Sequence, residues 1–223
     1  MPLSEPVPLR IPGLSRWLSL LLHDQRDLFV SRRIRDEGIW EPFETSLLLA
    51  SLSPGAVFVD VGANLGYFTV LAAHQVGETG RVFAFEPDPE NFSLLLGNLA
   101  LNGLEQRGEA VRAALSDEDG EGELYLSKDN LGDHQIYSAG EVRESIRIPL
   151  LRGSDYFRDR VERLDLLKVD TQGSEYQVMS GLMPLLLGLP MVPRILIELT
   201  PLSLQEAGSS GRALIELLAT LSQ

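Results

Sequence analysis

Three stretches of the sequence carry side chains able to do chemistry. In "VDVGANLGYF", Asp60 is followed by Gly62, Asn64 and Gly66. Glycines in such a turn allow unusual backbone angles and close ligand approach, and a helix starting there would offer its free N–H groups. The spacing is G-x-x-x-G, not the G-x-G-x-x-G of dinucleotide turns. Glu86, which ends "RVFAFE", stands where a carboxylate accepts hydrogen bonds from both hydroxyls of a ribose.

The second stretch is "DLLKVDTQGSE", where the two-residue strand period puts Lys168 and Asp170 on one face. A lysine in a strand buried on both faces must be paired. It either fixes the strands as a structural ion pair or serves catalysis beneath a bound ligand. Asp170 closes its strand, where open α/β sheets bind ligands, and could orient a substrate or join Glu198 in holding a cation. Gln172 follows in the same turn, and Glu175 reads as a first-turn helix charge. The third stretch is "DNLGDHQIY", residues 129–137, with Asn130, Asp133, His134 and Tyr137. Histidine suits a general base because its unperturbed pKa lies near 6.5. The other two histidines, His23 and His74, fall on predicted helices away from the strand ends. The competing reading of "NLGD" is a turn capped by the histidine.

The elements that must position these groups alternate between strand and helix. Residues 1–13 read as an extended arm and residues 14–37 as one or two helices, "LSRWLSLLL" being amphipathic and too short to span a bilayer. "AVFVDV", "RVFAFE", "GEAVRAALS", "DLLKVD" and "RILIEL" read as strands, with one helix over about residues 67–75 and another started by Pro87, Asp88 and Pro89 and running to about Leu101. "GELYLS" and "ESIRIPLL" form an inserted antiparallel pair. This order implies one α/β domain over residues 41–223, with a mostly parallel sheet, a β insertion at about 120–150, and residues 1–40 as an N-terminal arm and helices. Nothing after Leu199 reads as a strand, so the sheet edge is left open or covered, and a homodimer is the expectation.

Charge and composition remove other classes. A net charge of −13 argues against gripping nucleic acid or an anionic membrane. No cysteine means no thiolate nucleophile or disulfide, which suits a cytoplasmic setting. Asp60 at the loop entrance would repel a pyrophosphate yet tolerate the amino group and sulfonium of S-adenosylmethionine, which favours a methyl donor over a nicotinamide dinucleotide.

"PGAVFVDVGANLGYFTVLAA", "GRVFAFEPDPENFSLLLGNLALNG", "RAALSD" and "DLLKVDTQGSEYQVMSGL" together resemble the FkbM-type S-adenosylmethionine-dependent methyltransferases, in order and spacing, over roughly residues 38–200. The resemblance implies a class I methyltransferase Rossmann-like three-layer α/β/α sandwich and methylation of a hydroxyl on a sugar or other small metabolite. It implies that Asp60, Gly62, Ala63, Asn64, Gly66 and Tyr67 form the cofactor loop. Glu86 and Pro87 would then take the ribose, Ser116 and Asp117 the adenine edge, and Glu41 and Thr45 the methionine end. Some relatives share an Asn-x-Gly-Asp-His string, implying a loop that closes the site. His134, Asp170 and Lys168 are then the catalytic candidates, with Asn130, Asp133, Tyr137, Gln172 and Glu198 on the acceptor side and no metal. The family's C-terminal antiparallel hairpin has no counterpart in this reading. The competing functions are a nicotinamide-dependent oxidoreductase and a non-catalytic S-adenosylmethionine-binding module.

Overall fold

A computed structural model describes residues 5–14, 16–127, 130–137 and 143–222; Lys128 and Asp129, the latter the first residue of the "DNLGDHQIY" stretch, lie outside them. The elements run β1 (Val7–Pro8), β2 (Ser19–Leu20), α1 (Val30–Glu37), α2 (Pro42–Ser51), β3 (Val57–Val61), α3 (Tyr67–Gln75), β4 (Arg81–Phe85), α4 (Pro89–Leu101) and β5 (Gly108–Val111). They continue as β6 (Ala114–Ser116), β7 (Gly120–Tyr125), β8 (Ser145–Arg152), α5 (Gly153–Tyr156), β9 (Leu166–Val169), α6 (Glu175–Gly188), β10 (Arg194–Ile197), α7 (Pro201–Glu206) and α8 (Gly211–Ala219).

The central sheet has five parallel strands in the order β10-β9-β3-β4-β5. The two-residue period of each strand splits its side chains between two cores. Phe58, Val82, Ala84 and Leu166 pack with Leu48, Leu71, Leu95 and Leu99 of α2, α3 and α4. Val59, Val61, Phe83, Phe85, Leu167 and Val169 pack with Val178, Met179 and Leu182 of α6 and Leu214 of α8. The result is a Rossmann-like three-layer α/β/α sandwich. After β3 the chain moves outward to β4 and β5, then returns to β9 on the other side. The crevice between β3 and β9 is therefore the topological switch point where such sheets take ligands.

Two segments differ from the sequence expectation. Residues 16–29 contain no helix; Ser19–Leu22 run extended across α4, and turns follow at residues 25–26 and 28–29. Asn98 accepts the Leu21 N–H through Oδ1 (2.6 Å) and donates Nδ2 to the Leu21 carbonyl (3.0 Å), and Asn102 does the same to Ser19 (3.1 and 2.8 Å). Four residues of helix rise about 6 Å and two of strand about 6.6 Å, so the two amides match the extended register and satisfy its backbone. Leu18, Leu20 and Leu22 join the core shared with Phe58 and Leu71. The expected strand "GEAVRAALS" is broken where the Ala113 N–H bonds the Val111 carbonyl, a tight turn that sends β6 into a separate three-stranded sheet, β6-β8-β7. In that sheet β7 and β8 are antiparallel. Among the described residues no strand pairs with the outer edge of β10.

Candidate active site

At the C-terminal ends of β3, β4, β9 and β10 lies a cavity of about 260 Å³. Gly62, Ala63, Asn64 and Tyr67 form one wall, Glu86 and Pro87 a second, and Lys168, Asp170, Gln172 and Glu198 a third. Glu41 enters from the segment before α2, and Asn130, Gly132 and His134 from the inserted loop.

The Gly62–Gly66 turn exists because two contacts forbid side chains there. At Gly62 (φ +81) a Cβ would lie 1.9 Å from the Asp170 carbonyl oxygen, so the turn packs onto the end of β9. At Gly66 (φ +90) a Cβ would meet Leu95 of α4 at 2.6 Å; this glycine serves helix packing and does not line the cavity. Among the described residues, three of the four non-glycine residues with positive φ line the cavity: Glu41 (φ 41), Asn64 (φ 52) and Gln172 (φ 54). Such conformations cost about 1–3 kcal/mol each and collect where side chains must be aimed.

Glu86 stands at the end of β4 with its oxygens accepting the Asn64 N–H (2.8 Å) and the Asp88 N–H (2.9 Å). Burial pushes its carboxyl up to about 8, against the pull of these two N–H groups.

The third wall is a charge cluster. Lys168 Nζ lies 3.0 Å from Asp170 Oδ2 and 4.7 Å from the centre of the Phe68 ring. Burial opposes the lysine's charge, but Asp170, Asp60 and Glu41 outweigh it and hold the ammonium above its ordinary range. Burial likewise raises Asp170, and Lys168 with its hydrogen-bonding neighbours outweighs that and keeps the carboxyl ionised. Gln172 Nε2 bridges Asp170 Oδ1 and Glu198 Oε2, both at 2.8 Å. Glu198 sits exposed at the rim; the partial desolvation of its carboxyl, and a hydrogen bond with Asp170, push it to about 8. Within this pair a proton therefore rests on Glu198 in preference to Asp170. Desolvation and Asp170 also raise Glu41 to about 6.

Several expected positions fall elsewhere. Asp60 faces the α2–α4 layer, fully buried, accepting a hydrogen bond from Thr69 (2.6 Å) and set in register with Lys168. Its carboxylate does not line the cavity; the acids that do are Glu41, Glu86, Asp170 and Glu198. Thr45 acts from behind, donating to the Trp40 carbonyl (2.7 Å) and pairing with the Tyr67 hydroxyl (3.0 Å). Ser116 and Asp117 are carried away from the cavity against α6 by the turn at Val111–Ala113, and Ala114 and Leu115 line it instead. Glu175 folds back to accept the Thr171 and Gly173 N–H groups (both 3.0 Å), fixing the turn after β9.

Residues 130–137 of the "DNLGDHQIY" stretch lie over the Glu86 side of the cavity. The Leu131 carbonyl accepts Asn91 Nδ2 (3.0 Å), and Asn91 Oδ1 receives His23 Nε2 (2.6 Å). His134 Nδ1 accepts the Ser127 N–H (3.0 Å), which puts its ring proton on Nε2, 4.0 Å from Asp88 Oδ2. Both ring nitrogens are thus turned to the loop and to α4. Asp133 is held by Arg143 (3.1 Å), and the Tyr137 ring lies against Gly173; neither lines the cavity. Burial lowers the His134 pKa from 6.5, with Asp88 opposing. The unfolded chain binds this proton more readily, so loop stability falls as pH drops through 6.5. Hydrogen exchange at the Ser127 amide is expected to lose protection below about pH 6. His134→Gln should remove that pH dependence.

Asn91, Leu115 and Trp40 carry no signal of their own in the sequence. Asn91 follows the Pro-Asp-Pro helix start by two residues, and only the folded loop shows why an amide is needed there. Among the described residues, no group of three or more His, Asp or Glu is placed to hold a metal ion, and no helix is long and apolar enough to cross a membrane.

A Rossmann-like sheet with an acid-lined cavity at its switch point is the arrangement in which open α/β sheets take ligands. The chain matches the methyltransferase FkbM domain over residues 60–221 and belongs to that family. It is 31% identical over 160 residues to the 31-O-demethyl-FK506 methyltransferase FkbM of Streptomyces tacrolimicus, covering 58% of this chain and 60% of that protein. It is 28% identical over 163 residues to Methyltransferase sdnD of Sordaria araneosa, covering 60% and 62%. The chain thus spans about three fifths of these curated relatives. Among solved structures, a precorrin-6Y C5,15-methyltransferase from Geobacter metallireducens GS-15 is 16% identical with a TM-score of 0.49, over 82% of this chain and 73% of that one.

Proposed function

We propose that the chain is an S-adenosylmethionine-dependent O-methyltransferase acting on a hydroxyl of a small metabolite. The observation that carries this reading is the charge pattern of the cavity. Four acids face it, and among the described residues lining it the single Lys or Arg side chain, Lys168, is already engaged by Asp170 and Asp60. A pyrophosphate would find no free cation there, whereas a sulfonium and an amino group would find the ionised carboxylates of Glu41 and Asp170. The residues fit such a donor. Glu86 would take the ribose hydroxyls, Leu115, Leu131 and Pro87 the adenine faces, and Glu41 with the Gly62–Asn64 backbone the amino-acid end. When bound, the donor supplies an electrophilic methyl on sulfur that leaves as a neutral thioether. The name of one relative, a 31-O-demethyl-FK506 methyltransferase, supports oxygen as the acceptor atom.

The chain's own contribution is alignment and removal of the hydroxyl proton. Asp170, held ionised by Lys168 and oriented by Gln172, accepts a hydrogen bond from the acceptor hydroxyl and takes its proton as the new C–O bond forms. His134 holds the loop that closes over the ribose side. Transfer of label from methyl-labelled donor to alcohols tests this reading. It fails if no oxygen acceptor is labelled while S-adenosylhomocysteine binds, which would leave a binding module.

Glu86 gives a separate prediction. At pH 7 its carboxyl is protonated, because burial has raised it to about 8, and donated ribose hydroxyls favour the ionised form. Binding of S-adenosylhomocysteine should therefore release about one proton and tighten as pH rises toward 8. Calorimetry in two buffers of different ionisation enthalpy measures the release, which Glu86→Gln should abolish.

A further inference from the structure

An entry face for the acceptor rests on the methyl-transfer reading, which requires the acceptor to reach Asp170 from outside. Phe29 and Trp40 each line two adjoining spaces: the cavity, and an outer groove of about 310 Å³ completed by Leu28, Arg32, Arg33 and acids of α1. The exposure of Leu28 (48%) and Phe29 (50%) is held in place from below. The buried Asp27 accepts the Ser31 N–H through Oδ2 (2.7 Å) and the Phe29 N–H through Oδ1 (3.3 Å), fixing a turn that sends Val30 inward and Leu28 and Phe29 outward. Trp40 is fixed by its carbonyl bond from Thr45, just before the left-handed Glu41.

The charges of the groove are already satisfied. Arg32 pairs with Asp36 (3.8 Å) and Arg33 with Glu37 (3.2 Å) on their own helix. At the inner end stand Glu41, Asp170 and Glu198. An anionic acceptor would find no unpaired cation outside and carboxylates inside. An apolar ring would cover the half-exposed Phe29 and the remaining open face of the partly buried Trp40.

We propose that Phe29 and Trp40 hold the non-reacting body of the acceptor, and that the acceptor is an uncharged alcohol with an apolar body whose hydroxyl passes Glu41 to reach Asp170. The groove adjoins the cavity at these two residues, which line both, and this adjacency makes the acceptor its occupant.

The test compares 2-naphthylmethanol, naphthalene-2-carboxylate and methyl β-glucopyranoside, each titrated with and without S-adenosylhomocysteine and followed by ligand-observed NMR. The naphthyl alcohol should bind roughly tenfold tighter than either comparator, and Phe29→Ser should weaken it about tenfold. Because Phe29 is half exposed, the variant should melt with wild-type protein and bind S-adenosylhomocysteine unchanged. Equal or tighter binding of the glucoside or the carboxylate would overturn the proposal, as would an unchanged alcohol affinity in Phe29→Ser. If the alcohol binds as expected but S-adenosylhomocysteine does not, the donor reading falls while the entry face stands.

Discussion

Changing Asp170 to asparagine is expected to slow methyl transfer about 10²- to 10⁴-fold, with S-adenosylhomocysteine affinity altered less than about threefold. The substitution keeps the shape and one accepting oxygen but removes the group that takes the hydroxyl proton. Lys168 keeps Asp60 and Glu41 as counter-charges, so the strand ends should hold their geometry. Donor affinity should survive because Glu86 and the Gly62–Asn64 backbone lie on the other walls. A loss confined to kcat marks an interaction made only in the transition state. Single-turnover transfer from labelled donor to the preferred alcohol measures it. Full activity in Asp170→Asn, with a large loss in His134→Gln, would move the base to the inserted loop.

Replacing Lys168 by methionine should cost about 3–5 kcal/mol of folding stability. The ammonium is buried and is the counter-charge for Asp60, whose Oδ1 has no hydrogen-bond partner among the described residues. Burial already raises Asp60, and Lys168 is the largest opposing influence. Without the lysine, Asp60 must either stay charged and unpaired or bind a proton. Binding a proton is easier at low pH, so the penalty should grow as pH rises above the ordinary carboxylate value of 3.8. Urea unfolding at pH 5 and pH 8 reads that dependence. Adding Asp60→Asn to Lys168→Met should recover much of the loss, because the buried charge then disappears with its partner. An unchanged Lys168→Met protein would mean that the pair does not stabilise the sheet.

The sheet is legible in the sequence because its strands are short apolar runs punctuated by Gly and Pro. The α3 span, residues 67–75, matches the expected range. The Gly62–Asn64 turn and Glu86 are legible because strand ends and helix starts fix where those residues stand. What escapes depends on contacts distant in sequence. The extended path of Ser19–Leu22 is set by Asn98 and Asn102, and no local pattern in "LSRWLSLLL" records it. Asp60 looks like a loop acid, but strand periodicity places it with Phe58 on the helix-covered face, opposite Lys168. Ser116 and Asp117 are displaced by a single tight turn at Val111–Ala113, a backbone event with no side-chain signature. The "DNLGDHQIY" stretch stands out in the sequence, and Asn130 and His134 of it line the cavity. Its placement over Glu86 requires Asn91, a partner 40 residues from Leu131.

The most direct test of the central claim is titration calorimetry of the protein with S-adenosylhomocysteine and, separately, with a nicotinamide dinucleotide, repeated on Glu86→Ala. The cavity predicts binding of S-adenosylhomocysteine at a single site, weakened at least about tenfold by Glu86→Ala, and no measurable binding of the dinucleotide. Binding of the dinucleotide without S-adenosylhomocysteine, or S-adenosylhomocysteine binding indifferent to Glu86, would contradict it.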